Sequence, residues 1–125
     1  MRIAVGLVLD TAAIFLFAAI GRRNHGEAGA LMAVGTTAWP FLAGMAAGWL
    51  IALVALRRVP VSVRDGIPVW LCAVGIGMIL RTLTHAGTAV SFIIVATLFL
   101  GATLLGWRAA AALIQSRRPT PTGSR

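Results

Sequence analysis

The chain has 125 residues, 59% of them hydrophobic and 11% charged, and its formal net charge is +8 with every basic residue an arginine. A soluble domain is about half apolar and about a quarter charged, so this composition, with a mean hydropathy of +0.93, excludes an ordinary soluble domain and indicates an integral membrane protein. The arginines stand at the ends of apolar runs, which reads as a topology signal and contact with anionic headgroups rather than as a nucleic-acid footprint.

The first apolar run covers residues 3–20 and contains one carboxylate, Asp10. A helix needs about twenty apolar residues to cross a hydrocarbon core of ~30 Å. A carboxylate inside such a span is costly and is expected to face other helices or water. The run is too long for a signal-peptide core, and Gly21-Arg22-Arg23 is a poor cleavage site, so the span is read as retained. The connection after it gathers Arg22, Arg23, Asn24, His25 and Glu27.

A second span is expected at residues 34–56. Pro40 removes a backbone donor there and should kink or start the helix. Gly44 and Gly48 form a small-xxx-small pair, spacing that lets two helix backbones approach closely. Trp39 and Trp49 lie toward opposite ends of this span, as an aromatic belt would place them. The loop ending Arg64-Asp65-Gly66-Ile67-Pro68 leads into a third span at 67–84, with Asp65 as a cap, Pro68 in the first turn and Arg81 near the far end. The single cysteine, Cys72, lies inside this apolar run and has no partner for an intrachain disulfide. His85-Ala86-Gly87 makes a tight turn into a fourth span at 88–114. Small residues recur there every seventh position, at Ala89, Ala96, Thr103 and Ala110, and Ala96 and Thr103 are expected to face a neighbouring helix. Trp107-Arg108 reads as the inner boundary, with Arg108 snorkelling to headgroups. Residues 115–125 read as a disordered cytoplasmic tail outside the four-span domain of 1–114.

Arg2, Arg57, Arg58, Arg64, Arg108, Arg117, Arg118 and Arg125 fall on one side of this arrangement, and Arg22, Arg23 and Arg81 on or near the other. That bias predicts both termini in the cytoplasm and a multi-pass protein of the plasma membrane. A weak internal repeat relates Thr37-Ala38-Trp39-Pro40-Phe41 to Thr88-Ala89-Val90-Ser91-Phe92, and each half later reaches a Gly-Trp pair, at Gly48-Trp49 and Gly106-Trp107.

Two constellations could carry chemistry. Asp10 with Arg81 is either a proton or substrate site or a buried pair that fixes helix register, and Arg108 is the other candidate partner for Asp10. Arg22, Arg23, His25 and His85 fall on one side and form either a seat for an anion or lipid headgroup or a solvated loop. No phosphate-binding glycine loop, nucleophile elbow or His-Glu-x-x-His is present, and Gly75-x-Gly77 in an apolar helix is packing. No metal, cofactor or nucleic-acid partner is expected, and neither is catalysis, for which only His25 or His85 could supply a base.

The segments Gly21-Arg22-Arg23-Asn24-His25-Gly26-Glu27, Thr37-Ala38-Trp39-Pro40-Phe41-Leu42 and Leu105-Gly106-Trp107-Arg108 resemble the small membrane proteins grouped as domain-of-unknown-function family 3054, over about Asp10 to Arg108. The resemblance implies a four-helix bacterial membrane protein, from a family found mostly in actinobacteria with relatives in halophilic archaea, and it implies no activity. Small multidrug resistance transporters share the size, the span number and an acid in the first span. Their acid is a glutamate and they use tyrosines that this chain lacks, so that likeness is one of size alone. The expectation is therefore an all-α integral membrane four-helix bundle. It binds a lipid, a small molecule, a second copy or a partner membrane protein, or else is a small proton-coupled transporter using Asp10 with Arg81.

Overall fold

The computed structural model describes residues 2–21, 30–85 and 88–117. Among these described residues five α-helices succeed one another: α1 (Arg2–Gly21), α2 (Ala30–Leu50), α3 (Val63–Leu83), α4 (Val90–Leu100) and α5 (Gly106–Arg117). A π-helical turn at Ile51–Ala55 extends α2, and another at Gly101–Leu105 joins α4 to α5. The result is four helical rods, Ile3–Ile20, Val34–Ala55, Val63–Leu83 and Val90–Ser116, each long and apolar enough to cross a membrane. Among the described residues there is no strand. The protein is an all-α, multi-pass bundle suited to a lipid bilayer.

The helix bounds differ from the sequence expectation by up to four residues, and two of these differences bear on the site. The third span starts at Val63 rather than near residue 67, because Ser62 caps it: its hydroxyl accepts from the Asp65 backbone N–H at 3.1 Å. Asp65 sits in the first turn, where the helix dipole favours a carboxylate, and pairs with Arg58 at 3.1 Å. The charged run Arg64-Asp65 that resembles loop is thus the first turn of a helix. The fourth span continues to Arg117, past the expected end at 114.

Close approach in lipid requires small residues, since apolar burial does not drive helices together there. The most extensive packing is between α2 and α3. A Cβ on Gly44 would lie 2.8 Å from the Ala73 Cα, and one on Gly48 would lie 2.7 Å from the Val69 Cα, so both glycines set the distance between these helices. Ala96 is fully buried, whereas Thr103 is half-buried with its hydroxyl turned back to the Phe99 carbonyl at 2.9 Å. Ala110, which the seven-residue spacing puts on the same face, is exposed. The π turn at Gly101–Leu105 explains this. One extra residue in a helical turn rotates the remainder of the rod by about 100°. Trp70 fills the bend, donating to the Thr97 carbonyl at 3.0 Å beside Gly101.

The core divides along the bundle axis. Toward the far ends of α1 and α3 lies an aromatic cluster. Phe17 meets Phe41 edge-on at 5.4 Å, and its ring centroid lies 5.8 Å from Phe92 and 5.6 Å from Phe99. The Arg81 guanidinium stands over the Phe92 ring, 4.3 Å from its centroid. Toward the other end the same apolar core, here Met45, Trp49, Val69 and Leu104, encloses a buried ion pair centred on Asp10.

Candidate functional site

Asp10 is one of the most buried side chains in the molecule, at 0% exposure, and both of its oxygens are fully engaged. Oδ1 accepts from Trp107 Nε1 and from Arg108 Nη1, each at 2.8 Å. Oδ2 accepts from Trp49 Nε1 and from Arg108 Nη2, each at 2.8 Å. An ionised carboxylate offers about four acceptor positions. Two parallel guanidinium bonds and two indole bonds use them all.

The partner guanidinium is equally enclosed. Arg108 is 0% exposed, gives Nε to the Pro60 carbonyl at 2.9 Å and gives Nη1 also to the Leu104 carbonyl at 2.7 Å. Its guanidinium carbon stands 4.5 Å from the centroid of the neighbouring Trp107 ring. The backbone makes room for these groups with glycine. A Cβ on Gly66 would fall 2.5 Å from Arg108 Cδ and 2.6 Å from Nε, and one on Gly6 would fall 2.8 Å from the Trp49 ring.

The cluster therefore draws on every span. Asp10 comes from α1, Trp49 from α2, Trp107 and Arg108 from α5, and Gly66 of α3 closes over the guanidinium. The connection between the second and third spans contributes the Pro60 carbonyl. That connection is itself held in place, with Arg57 in the left-handed region at φ 57° closing the second span and Arg58 N–H bonded to the Ala52 carbonyl at 2.9 Å. The two π turns flank the cluster, one just after Trp49 and one just before Trp107. Such turns occur often at functional sites, and here the second rotates Trp107 and Arg108 onto the face of the rod that meets α1.

The family described as protein of unknown function (DUF3054) matches residues 7–111, a segment that holds all four charged or indole groups of this cluster. This chain belongs to the DUF3054 family. No curated protein and no solved structure matches it.

In this DUF3054 protein the ion pair is Asp10 with Arg108, not Asp10 with Arg81. From sequence, Arg108 reads as a residue of the membrane boundary, snorkelling outward. The helix continues to Arg117, so Arg108 lies within the rod and at the level of Asp10, while Arg81 stands at the aromatic end. Trp49, which reads from sequence as a belt residue, is 3% exposed and serves the carboxylate instead; Trp39 is the exposed one at 44%. Of the outer group, Arg22, Arg23 and His25 lie outside the described residues. His85 is exposed and closes α3 in the left-handed region at φ 59°, its N–H bonded to the Thr82 carbonyl at 3.2 Å. Among the described residues no three His, Cys, Asp or Glu side chains come together as a metal site would require.

Sequence reasoning missed Trp49, Trp107, Pro60, Gly6 and Gly66 as parts of one site. One signal was present. A buried indole N–H needs an acceptor, and the paired Gly-Trp steps at 48–49 and 106–107 flank apolar runs with a single carboxylate to serve. Both tryptophans do serve it, one on each oxygen. The surroundings of the two pairs differ, since Gly48 is pressed against α3 whereas Gly106 has open space around it.

Proposed function

We propose that this protein is a non-catalytic integral protein of the plasma membrane that binds a lipid, a small molecule or a membrane partner, with both termini and the 56–62 connection in the cytoplasm. The observation that supports this reading is the state of Asp10. Its four acceptor positions are occupied by two indoles and a bidentate guanidinium, and none of these groups is left for a substrate. A carboxylate so bound acts as a lock that fixes the register of all four spans. A proton carrier instead has to exchange protons with water on each side in turn. The exposed Arg57, Arg58 and Arg64 at the same end of the bundle fit the cytoplasmic orientation by the positive-inside bias.

The test is reconstitution of the wild-type chain and of Asp10→Asn into liposomes enclosing a pH-sensitive dye. Neither should collapse an imposed pH gradient faster than protein-free vesicles. A flux present in the wild type and abolished in a folded Asp10→Asn variant would overturn the reading in favour of a proton-coupled transporter.

A further inference from the structure

A cavity of about 300 Å³ opens beside the lock, between the start of α1 and the end of α5. This volume is at the lower end of the range of about 300–1,000 Å³ in which small-molecule sites fall. Its lining is mixed in the way such sites are. Val5, Val61 and Ala112 are apolar, the Trp107 indole forms one wall, and Ser62 and Gln115 supply polar groups. Val5 lies near the beginning of the first span and Gln115 near the end of the last, so the cavity sits where hydrocarbon gives way to headgroups. The Ser62 oxygen already accepts from the Asp65 N–H, which leaves its own hydroxyl hydrogen to donate. Gln115 is exposed and brings an amide donor. The charge at this end is one-sided. Arg57, Arg58 and Arg64 are exposed, and Asp65, the acid of this segment, is tied to Arg58 at 3.1 Å.

We propose that this cavity seats one acyl chain of an anionic phospholipid, whose phosphate takes hydrogen bonds from Ser62 and Gln115 under the field of the connection's arginines. This rests on the reading of the protein as a binding protein and names the ligand class. Trp107 and Arg108 both line the cavity and both bind Asp10, so the lipid would lie directly against the lock.

The experiment is native mass spectrometry of the full chain released from micelles doped with phosphatidylglycerol or with phosphatidylcholine. The wild type should retain one phosphatidylglycerol per chain and little phosphatidylcholine. Ala112→Trp fills the cavity from an exposed helical position away from Asp10, and should lower that retention about tenfold or more. Gln115→Glu places a negative charge at the headgroup and should lower phosphatidylglycerol retention similarly while leaving phosphatidylcholine unchanged. Equal retention of the two lipids by the wild type, or unaltered phosphatidylglycerol retention in an Ala112→Trp chain that is helical by circular dichroism, would overturn the site. Those outcomes say nothing of proton flux, so failure of the lipid site and failure of the non-transport reading are separately visible.

Discussion

The two halves of the bundle are held by different physics. At one end, Asp10, Arg108, Trp49 and Trp107 form a network in which each bond has a fixed direction and a fixed partner. At the other, Phe17, Phe41, Phe92 and Phe99 meet at ring separations of 5.4 to 6.1 Å in edge-on and tilted arrangements. Each half holds an arginine. Arg108 is fully enclosed and bound to the Asp10 carboxylate; Arg81 is 8% exposed, and its guanidinium stands over the Phe92 ring. The difference separates specificity from adhesion. Ring packing tolerates a rotation or a short slide of one helix on another. A bidentate ion pair flanked by two indole bonds tolerates less, which is the physical ground for the register lock proposed above.

Breaking the directional half should have the largest effect. Arg108→Gln leaves the Asp10 carboxylate buried without its counter-charge and should cost about 3–5 kcal/mol, read from denaturant unfolding in micelles. Adding Asp10→Asn to that variant should recover most of the loss. A cost below about 1 kcal/mol for Arg108→Gln alone would remove the contrast between the halves. The indole bonds come next. Trp49→Phe keeps most of the ring but deletes one donor to a charged acceptor, and should cost about 2 kcal/mol; Trp107→Phe should behave alike if the two tryptophans play equal parts. The aromatic half should be the more forgiving. Phe17→Leu keeps apolar bulk and loses the ring–ring geometry, with an expected cost of about 1 kcal/mol in the same unfolding assay. If it proved as damaging as Trp49→Phe, the aromatic end would be specifying register too.

Much of the architecture is legible in the sequence because the bilayer restricts the choices. Four apolar runs of sufficient length dictate four helices, since in lipid every backbone group has to be satisfied within its own segment. Asp10 stands out for the same reason, as a charge placed where charges are expensive. Gly44 and Gly48 are legible as sites of close approach from their spacing, and they lie against α3. The partner of Asp10 is less so. Span ends judged from hydropathy put Arg108 at the boundary, and a regular 3.6-residue period puts Ala96, Thr103 and Ala110 on one face. A π turn changes that phase without leaving a mark in composition.

By itself, then, the sequence determined the number of spans, the family and the polar residues that had to be accounted for. Each of these comes from local composition and from the cost of placing charge in hydrocarbon. Only the tertiary structure decided that Arg108 rather than Arg81 meets Asp10, that two tryptophans far apart in the chain share one carboxylate, and that Gly6 and Gly66 make room for them. Those outcomes depend on the rotation of one helix against another. The wide turn at Gly101–Leu105 and the connection through Pro60 take part in placing Arg108, and both are packed against other spans.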